Sequence, residues 1–257
     1  MTTIELAWGP VQRQMADVLA VEPPDITTVL HQLTDLQDIL ERVPPDFGEN
    51  PVADFNRLYR TITASIECRL RAGDFADPVF LELLDVEFAK RYLVALRLWS
   101  DPTAETPWAW SVLFRRLRDR TVRALPSAAA GVNAHINYDL PFALVATWEK
   151  LGSRPCDGPQ HDDYLLINRV FFDAIPGLRR GYLENWQLLI DRLNGKLDDW
   201  YQNMLVEVTR DLAWRSAERI WAVRHQPLAV EHIRHSLDRN AALLGCALLS
   251  PFCSFLQ

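Results

Sequence analysis

The chain has 257 residues, 49% of them hydrophobic and 24% charged, and its 27 basic and 34 acidic side chains give a net charge of −7. This composition is typical of a folded globular protein that can bury a sizeable core. The acidic balance argues against nucleic acid or an anionic membrane as the main partner, because both attract basic surfaces.

The distribution of apolar residues and cysteines bears on where the protein works. Residues Met1 to Leu6 lack a basic stretch followed by an apolar one, so we expect no signal peptide. The longest apolar run, Ala241 to Leu249, is about half the length that a membrane span needs. The four cysteines form no CxxC pair and do not require an oxidising compartment. We therefore expect a cytoplasmic protein without membrane insertion.

Apolar residues recur at three- and four-residue spacing between prolines, which predicts an all-α chain. No segment alternates as a strand, and no fixed repeat is present. We predict a single globular domain of about nine or ten helices around a buried central helix. Residues 50–225 would form its core, with peripheral helices in residues 1–45 and 228–257.

The predicted helices are bounded by caps, prolines and glycines. They cover residues 10–19, 26–43, 52–71, 79–98, 108–123, a central helix that begins at 126–127, and then 162–174, 178–193, 196–224 and 228–249. Asp77 and Pro78 predict the start of the fourth helix, because aspartate caps a helix and proline suits its first turn. Pro176 and Gly177 are expected to separate the helices on either side of them.

The central helix carries the most informative segment, which runs from Gly131 to Leu144. It is apolar around its whole circumference, which predicts burial. Four polar residues interrupt it, and buried polar groups need partners, a metal or a catalytic role. They are Asn133, His135, Asn137 and Asp139.

His135 and Asp139 are four residues apart and therefore project from one face of the helix. Pro141 removes one backbone donor and predicts a kink beside Asp139. An imidazole and a carboxylate on one turn can supply two metal ligands or an acid–base pair. Alternatively, the two side chains only hydrogen-bond to each other within a polar core.

Other polar residues in apolar surroundings could face the same interior. Asp163 and Asn168 lie on the helix after the central one and are not explained by capping. Asp85 is either an inward carboxylate or a surface partner of neighbouring cations. Arg210 either holds a buried carboxylate or forms a surface ion pair. Trp108, Trp110 and Trp148 are candidate pocket walls or simple core residues.

The central motif, Gly131-x-Asn-Ala-His-Ile-Asn-x-Asp-Leu-Pro-x-Ala-Leu144, resembles the centre of the bacterial DUF5995 family. Five accompanying motifs resemble the same family: Phe75-x-Asp-Pro-x-Phe80, Leu84-Asp-Val-x-Phe-Ala89, Trp110-x-x-Leu-Phe114, Asp163-Tyr-x-x-x-Asn168 and Arg210-x-x-Ala-Trp214. The resemblance covers about residues 50 to 220 and implies one fold and one site without naming a reaction. By match to these motifs it implies five site residues: Asn133, His135, Asp139, Asp163 and Asn168.

A looser similarity links the chain to the all-helical zinc-dependent phospholipase C and P1-nuclease group. In that group a helix presents His-x-x-x-Asp to a metal, as the pair His135 and Asp139 could do here. The further histidines of a trinuclear cluster cannot be assigned in this sequence. The similarity therefore implies at most a single metal.

Together these features predict an enzyme that acts on a small, largely apolar molecule in a buried helical pocket. One divalent metal, zinc or iron, would be held by His135, Asp139 and Asp163 for hydrolase- or lyase-type chemistry. Without a metal, His135 and Asp139 would act as an acid–base pair, with Asn133 and Asn168 in the same site. The alternative is a non-catalytic binding or scaffold protein with a structural polar core. A homodimer through the apolar C-terminal segment is a further prediction.

Overall fold

A computed structural model describes residues 3–43, 50–101, 103–117, 119, 121–122, 124–182 and 207–250, with side chains from residue 11 onward except those of 125 and 172–182. The helices are α1 (Thr3–Leu19), α2 (Ile26–Leu40), α3 (Pro51–Ala72), α4 (Pro78–Ser100), α5 (Trp108–Phe114), α6 (Ala124–Ala134), α7 (Leu140–Leu151), α8 (Pro159–Tyr182), α9 (Val208–Ala222) and α10 (Pro227–Leu248), with a π-helical turn at His135–Asp139. These ranges contain no strand, which confirms the all-α prediction.

Side-chain caps and prolines set the helix starts. The Asp77 carboxylate accepts a hydrogen bond from the Phe80 N–H (3.0 Å), and Pro78 occupies the first turn of α4, as predicted. Asn50 caps α3 in the same way, ahead of Pro51. A glycine sets the C-terminal end of α7: Gly152 adopts the left-handed conformation (φ 65°), which favours glycine, and the helix ends there.

Three predicted boundaries were wrong. The first helix was expected to begin at residue 10, but α1 begins at Thr3. The fifth helix was expected to reach residue 123, but α5 ends at Phe114. Downstream of it, the Asp119 carboxylate accepts bonds from both the N–H and the hydroxyl of Thr121, a local turn that competes with helix formation. The expected break at Pro176 and Gly177 is absent, and α8 continues through both residues. A proline removes a single backbone donor, and the turns on either side can hold the helix together.

The last two predicted helices before residue 225 lie largely or partly outside the described residues. The predicted helix 178–193 is described only as far as residue 182, where it forms the end of α8. The predicted helix 196–224 is described from residue 207 and contains α9.

The segment from α6 through the π turn to α7 is continuous and is called the central helix here (Ala124–Leu151). Its first half packs against α3, α5 and α10, and its second half packs against α4 and α9. Every residue from Pro126 to Ile136 is buried, as the sequence predicted for a helix without a polar face. None of the described helices is both long and apolar enough to cross a membrane.

Candidate functional site

The π-helical turn occupies the position where Pro141 was predicted to kink the central helix. The Leu140 N–H donates to the His135 carbonyl, five residues back, as in a π turn. Leu140 keeps right-handed helical angles (φ −59°, ψ −40°), although a residue before proline usually avoids them. Pro141 has no N–H to donate, and the helix accommodates this by forming one wider, π-helical turn just before it. Turns of this kind are frequent at functional sites.

The side chains of His135 and Asp139 lie at the two ends of this turn and are 3% and 2% exposed. His135 Nδ1 is 3.0 Å from Asp139 Oδ2. The same oxygen accepts a hydrogen bond from Trp110 Nε1 at 2.9 Å. The predicted pairing on one helix face is therefore present, and Trp110 of α5 acts as a donor to the carboxylate in addition to forming part of the core.

Burial fixes the protonation of His135. Because the buried surroundings penalise the charged form, the pKa of His135 lies below its ordinary 6.5, despite the neighbouring Asp139. A carboxylate can only accept, so we assign the imidazole proton to Nδ1. The lone pair then lies on Nε2, which is buried and has no hydrogen-bond partner.

Aromatic rings hold the imidazole in place. Phe88 of α4 stacks on it at a centroid distance of 3.4 Å and an interplanar angle of 7°. Tyr59 of α3 contacts it edge-on at 4.6 Å. Gly131 allows α3 to approach, because a Cβ at this position would lie 2.3 Å from the Phe55 ring. The ring of Phe55 in turn contacts His135 edge-on.

A cavity of about 50 Å³ lies beside His135, between α3, α4, the central helix, α8 and α9. Its lining is apolar apart from four side chains: Tyr59, Asp85, His135 and Arg210. For comparison, an apolar cavity of about 150 Å³ holds benzene. The space therefore fits water or a group of a few heavy atoms.

Two polar groups of the cavity wall have unused hydrogen-bonding capacity in addition to His135. Asp85 Oδ2 and the Tyr59 hydroxyl are both buried without a partner. Burial, helped by the nearby charge of Glu82, raises the pKa of Asp85 from 3.8 to about 8. Asp85 is therefore protonated at neutral pH and can donate. Burial likewise raises the pKa of Tyr59, which keeps its proton.

Asn133 is close in sequence but serves a different contact. Its amide donates to the Ala241 carbonyl of α10 at 2.7 Å, and its oxygen accepts from Asn137 at 2.9 Å. It ties the central helix to α10 and does not line the cavity.

The predicted site residues Asp163 and Asn168 do not line the cavity beside His135 and have other hydrogen-bond partners. Both oxygens of Asp163 accept backbone N–H groups at the start of α4, from Ala76 (3.0 Å) and Asp77 (2.6 Å). Asn168 accepts a bond from Arg210 Nε at 2.8 Å. Among the described hydrogen bonds, none joins either residue to His135 or Asp139.

The donor set predicted for a metal is not assembled in this part of the chain. Asp163 uses both oxygens on backbone donors, and Asp139 Oδ2 already meets two N–H groups. Within the described ranges, no three His, Cys, Asp or Glu side chains form a group that could hold a metal. The predicted metal site stays a prediction.

Comparison with known proteins gives one match. The profile of a family of unknown function, DUF5995, matches residues 26–251. The chain belongs to the DUF5995 family. The match extends beyond residues 50–220, on which the sequence resemblance rested, and includes α2 and α10. No curated protein and no solved structure matches the chain.

From the sequence, Asp85 and Arg210 were possible inward groups but were not included among the site residues, and Trp110 was expected to be a pocket wall or a core residue. Asp85 lies four residues after Leu81 and so shares its apolar face, which was the available signal. Tyr59 offered no signal, since a tyrosine on an apolar stripe is ordinary core.

Proposed function

We propose that this DUF5995 protein is an enzyme that moves protons on a small, largely apolar molecule in the cavity, with His135 as general base and Asp85 as general acid. The observation that carries the proposal is that both side chains line one cavity and each keeps a buried atom without a partner. Buried polar atoms are normally satisfied, so unused capacity beside a cavity supports a ligand there.

His135 would accept a proton at Nε2. Asp139 orients the ring through Nδ1 and would stabilise the imidazolium that forms, as carboxylates do for catalytic histidines in general. Trp110 fixes the carboxylate from the other side. The apolar rings around the imidazole exclude water and keep it uncharged until substrate binds.

Asp85 would donate a proton to the substrate, while His135 removes one from another of its atoms. Its pKa is raised while that of His135 is lowered, so at neutral pH the acid holds a proton and the base does not. Environments that separate two pKa values in this way support acid and base assignments. The cavity size favours the reacting end of a short molecule, with isomerisation, hydration or elimination as the reaction classes.

Metal-assisted chemistry is the second form of this proposal. It would use His135 and Asp139 with a ligand other than Asp163, whose oxygens are engaged at the start of α4. A metal bound there would polarise a carbonyl or activate water. Elemental analysis of untagged protein, with and without His135→Gln, would detect it as stoichiometric metal that the variant loses.

Deuterium exchange tests the proton-transfer proposal without a known substrate. The protein is incubated in D₂O with a panel of short organic acids, ketones and alcohols, and NMR follows the loss of C–H signals. We expect at least one compound to exchange, and His135→Gln to slow that exchange by about 100-fold or more. His235→Gln is the matched control, because the side chain of His235 is 76% exposed. Equal exchange in wild type and His135→Gln would refute the proposal.

A non-catalytic binding or scaffold protein is the alternative. The close stacking of Phe88 on His135 favours it, because a polar core can fix helix packing without a reaction. In that case no compound would exchange, and His135→Gln would change only stability.

We also propose a cytoplasmic protein that forms a homodimer through α10. Leu243 and Leu244 of this helix are 64% and 43% exposed, which supports a contact surface. Size-exclusion chromatography of Leu243→Ser, compared with wild type, would measure whether the dimer depends on it.

A further inference from the structure

Arg210 of α9 is a buried cation at the wall of the same cavity, with a side chain only 3% exposed. Its Nε donates to Asn168 Oδ1 at 2.8 Å, and its Nη2 donates to the Tyr164 carbonyl at 2.7 Å. The guanidinium lies 4.1 Å from the centre of the Tyr164 ring. These partners hold the group in one orientation, and all of them are neutral.

No described carboxylate forms an ion pair with Arg210. Asp85 lines the same cavity, but its Oδ2 has no hydrogen-bond partner and so forms no bond to the guanidinium. A guanidinium keeps its charge in proteins, and a buried charge without a counter-ion is costly. Among the described residues, the positive charge of Arg210 therefore has no counter-ion at the cavity.

We propose that the substrate is a short monocarboxylic acid with an apolar body, whose carboxylate binds Arg210. This inference rests on the proposed function and names its substrate class. The Nε proton and one Nη2 proton are already used, so a carboxylate would bind through Nη1 and the second Nη2 proton. Two parallel hydrogen bonds can still form there, and one negative charge balances one cation. The apolar wall and the small volume suit a short hydrocarbon body next to it. A phosphate dianion would exceed the charge of Arg210 in a cavity that holds no other cation among its lining residues.

Binding of the carboxylate at Arg210, called the anchor below, would orient the substrate. His135, Asp85 and Arg210 line one cavity, so an acid held at Arg210 exposes its hydrocarbon body to the base and to the acid. Fixing one end of a small molecule in this way supplies the positioning that proton transfer needs.

Binding of propionate tests the anchor, with propionamide as the neutral molecule of nearly the same shape. Ligand binding is followed by isothermal calorimetry and by the shift in Tm at constant ionic strength. We expect propionate, but not propionamide, to bind and to raise Tm. Arg210→Met should weaken propionate binding about tenfold or more. Arg215→Met is the matched control, because the side chain of Arg215 is 66% exposed, and it should bind as wild type does.

Asn168→Asp provides a second test that does not remove the cation. The new carboxylate would lie at the position that already accepts the Arg210 Nε bond, neutralise the guanidinium and compete with the ligand. We expect a higher Tm without ligand and propionate binding weakened about tenfold or more. This variant decides the question even if Arg210→Met does not fold.

Three results would overturn the inference: equal binding of propionate and propionamide, propionate binding unchanged in Asn168→Asp, or stabilisation by inorganic phosphate without any by propionate. The titrations require no turnover, so His135→Gln should still bind propionate. Failure of propionate binding leaves the proton-transfer proposal intact. Failure of the deuterium-exchange test would leave carboxylate binding at Arg210, but not the assignment of that ligand as a substrate.

Discussion

Asp163 and Asp85 are two buried carboxyl groups with opposite surroundings. Asp163 is 4% exposed and uses both oxygens on backbone N–H groups at the start of α4. Asp85 is 5% exposed, and its Oδ2 has no partner at all. Burial is the same in both regions, but only one of them leaves hydrogen-bonding capacity for a ligand. Unused capacity, and not burial alone, marks the candidate site.

The same difference separates the neighbours of these two residues. Asp163 accepts from the N–H groups of Ala76 and Asp77, and these contacts join α8 to the start of α4. Around Asp85, the Tyr59 hydroxyl and His135 Nε2 are also without partners and line the same cavity. The contacts of Asp163 stabilise the fold, whereas the unpartnered buried groups around Asp85 lower its stability.

The largest effect is expected from Asp85→Asn, which should stabilise the protein at high pH. Asp85 has a folded pKa of about 8 against 3.8 for the ordinary group, so only the unfolded state ionises between these values. Wild type therefore loses stability as pH rises from about 4 to 8, and the variant does not. We expect a gain of roughly 3–5 kcal/mol at pH 8 that disappears near pH 4. Urea denaturation across this range measures it.

Glu82→Gln serves as the control for that experiment. Glu82 is exposed and contributes only the smaller part of the shift, so its removal should change stability little. If Asp85→Asn stabilised the protein equally at all these pH values, Asp85 would be ionised in the folded state. That result would contradict a protonated Asp85 with unused hydrogen-bonding capacity.

Asp163→Ala, in contrast to Asp85→Asn, should destabilise the protein. It leaves the backbone N–H groups of Ala76 and Asp77 without their acceptor, which costs about 2–3 kcal/mol in the free energy of unfolding. Proton exchange on the substrate should remain, because Asp163 is not part of the cavity wall. Asp162→Ala is the matched control, since Asp162 is the exposed neighbour on the same helix. Loss of exchange in folded Asp163→Ala would place this residue in the site after all.

The sequence predicted what depends on local spacing. The helix start at Asp77 and the pairing of His135 with Asp139 follow from residues three and four apart, and both are present. The partners of Asp163 and Asn168 could not be predicted, because they lie 86, 87 and 42 residues away and depend on how α4, α8 and α9 pack. The π turn was missed for another reason: Pro141 signals a disturbed helix but not how the backbone accommodates it.

The proposed role of His135 as a base requires a neutral imidazole with its proton on Nδ1, and ¹⁵N NMR of histidine-labelled protein measures this protonation. The His135 signal is assigned by its absence in His135→Gln and followed from pH 5 to 8. We expect a proton on Nδ1, none on Nε2 at neutral pH, and a pKa of His135 below 6.5. A proton on Nε2, or a pKa at or above 6.5, would contradict His135 as the base of this site.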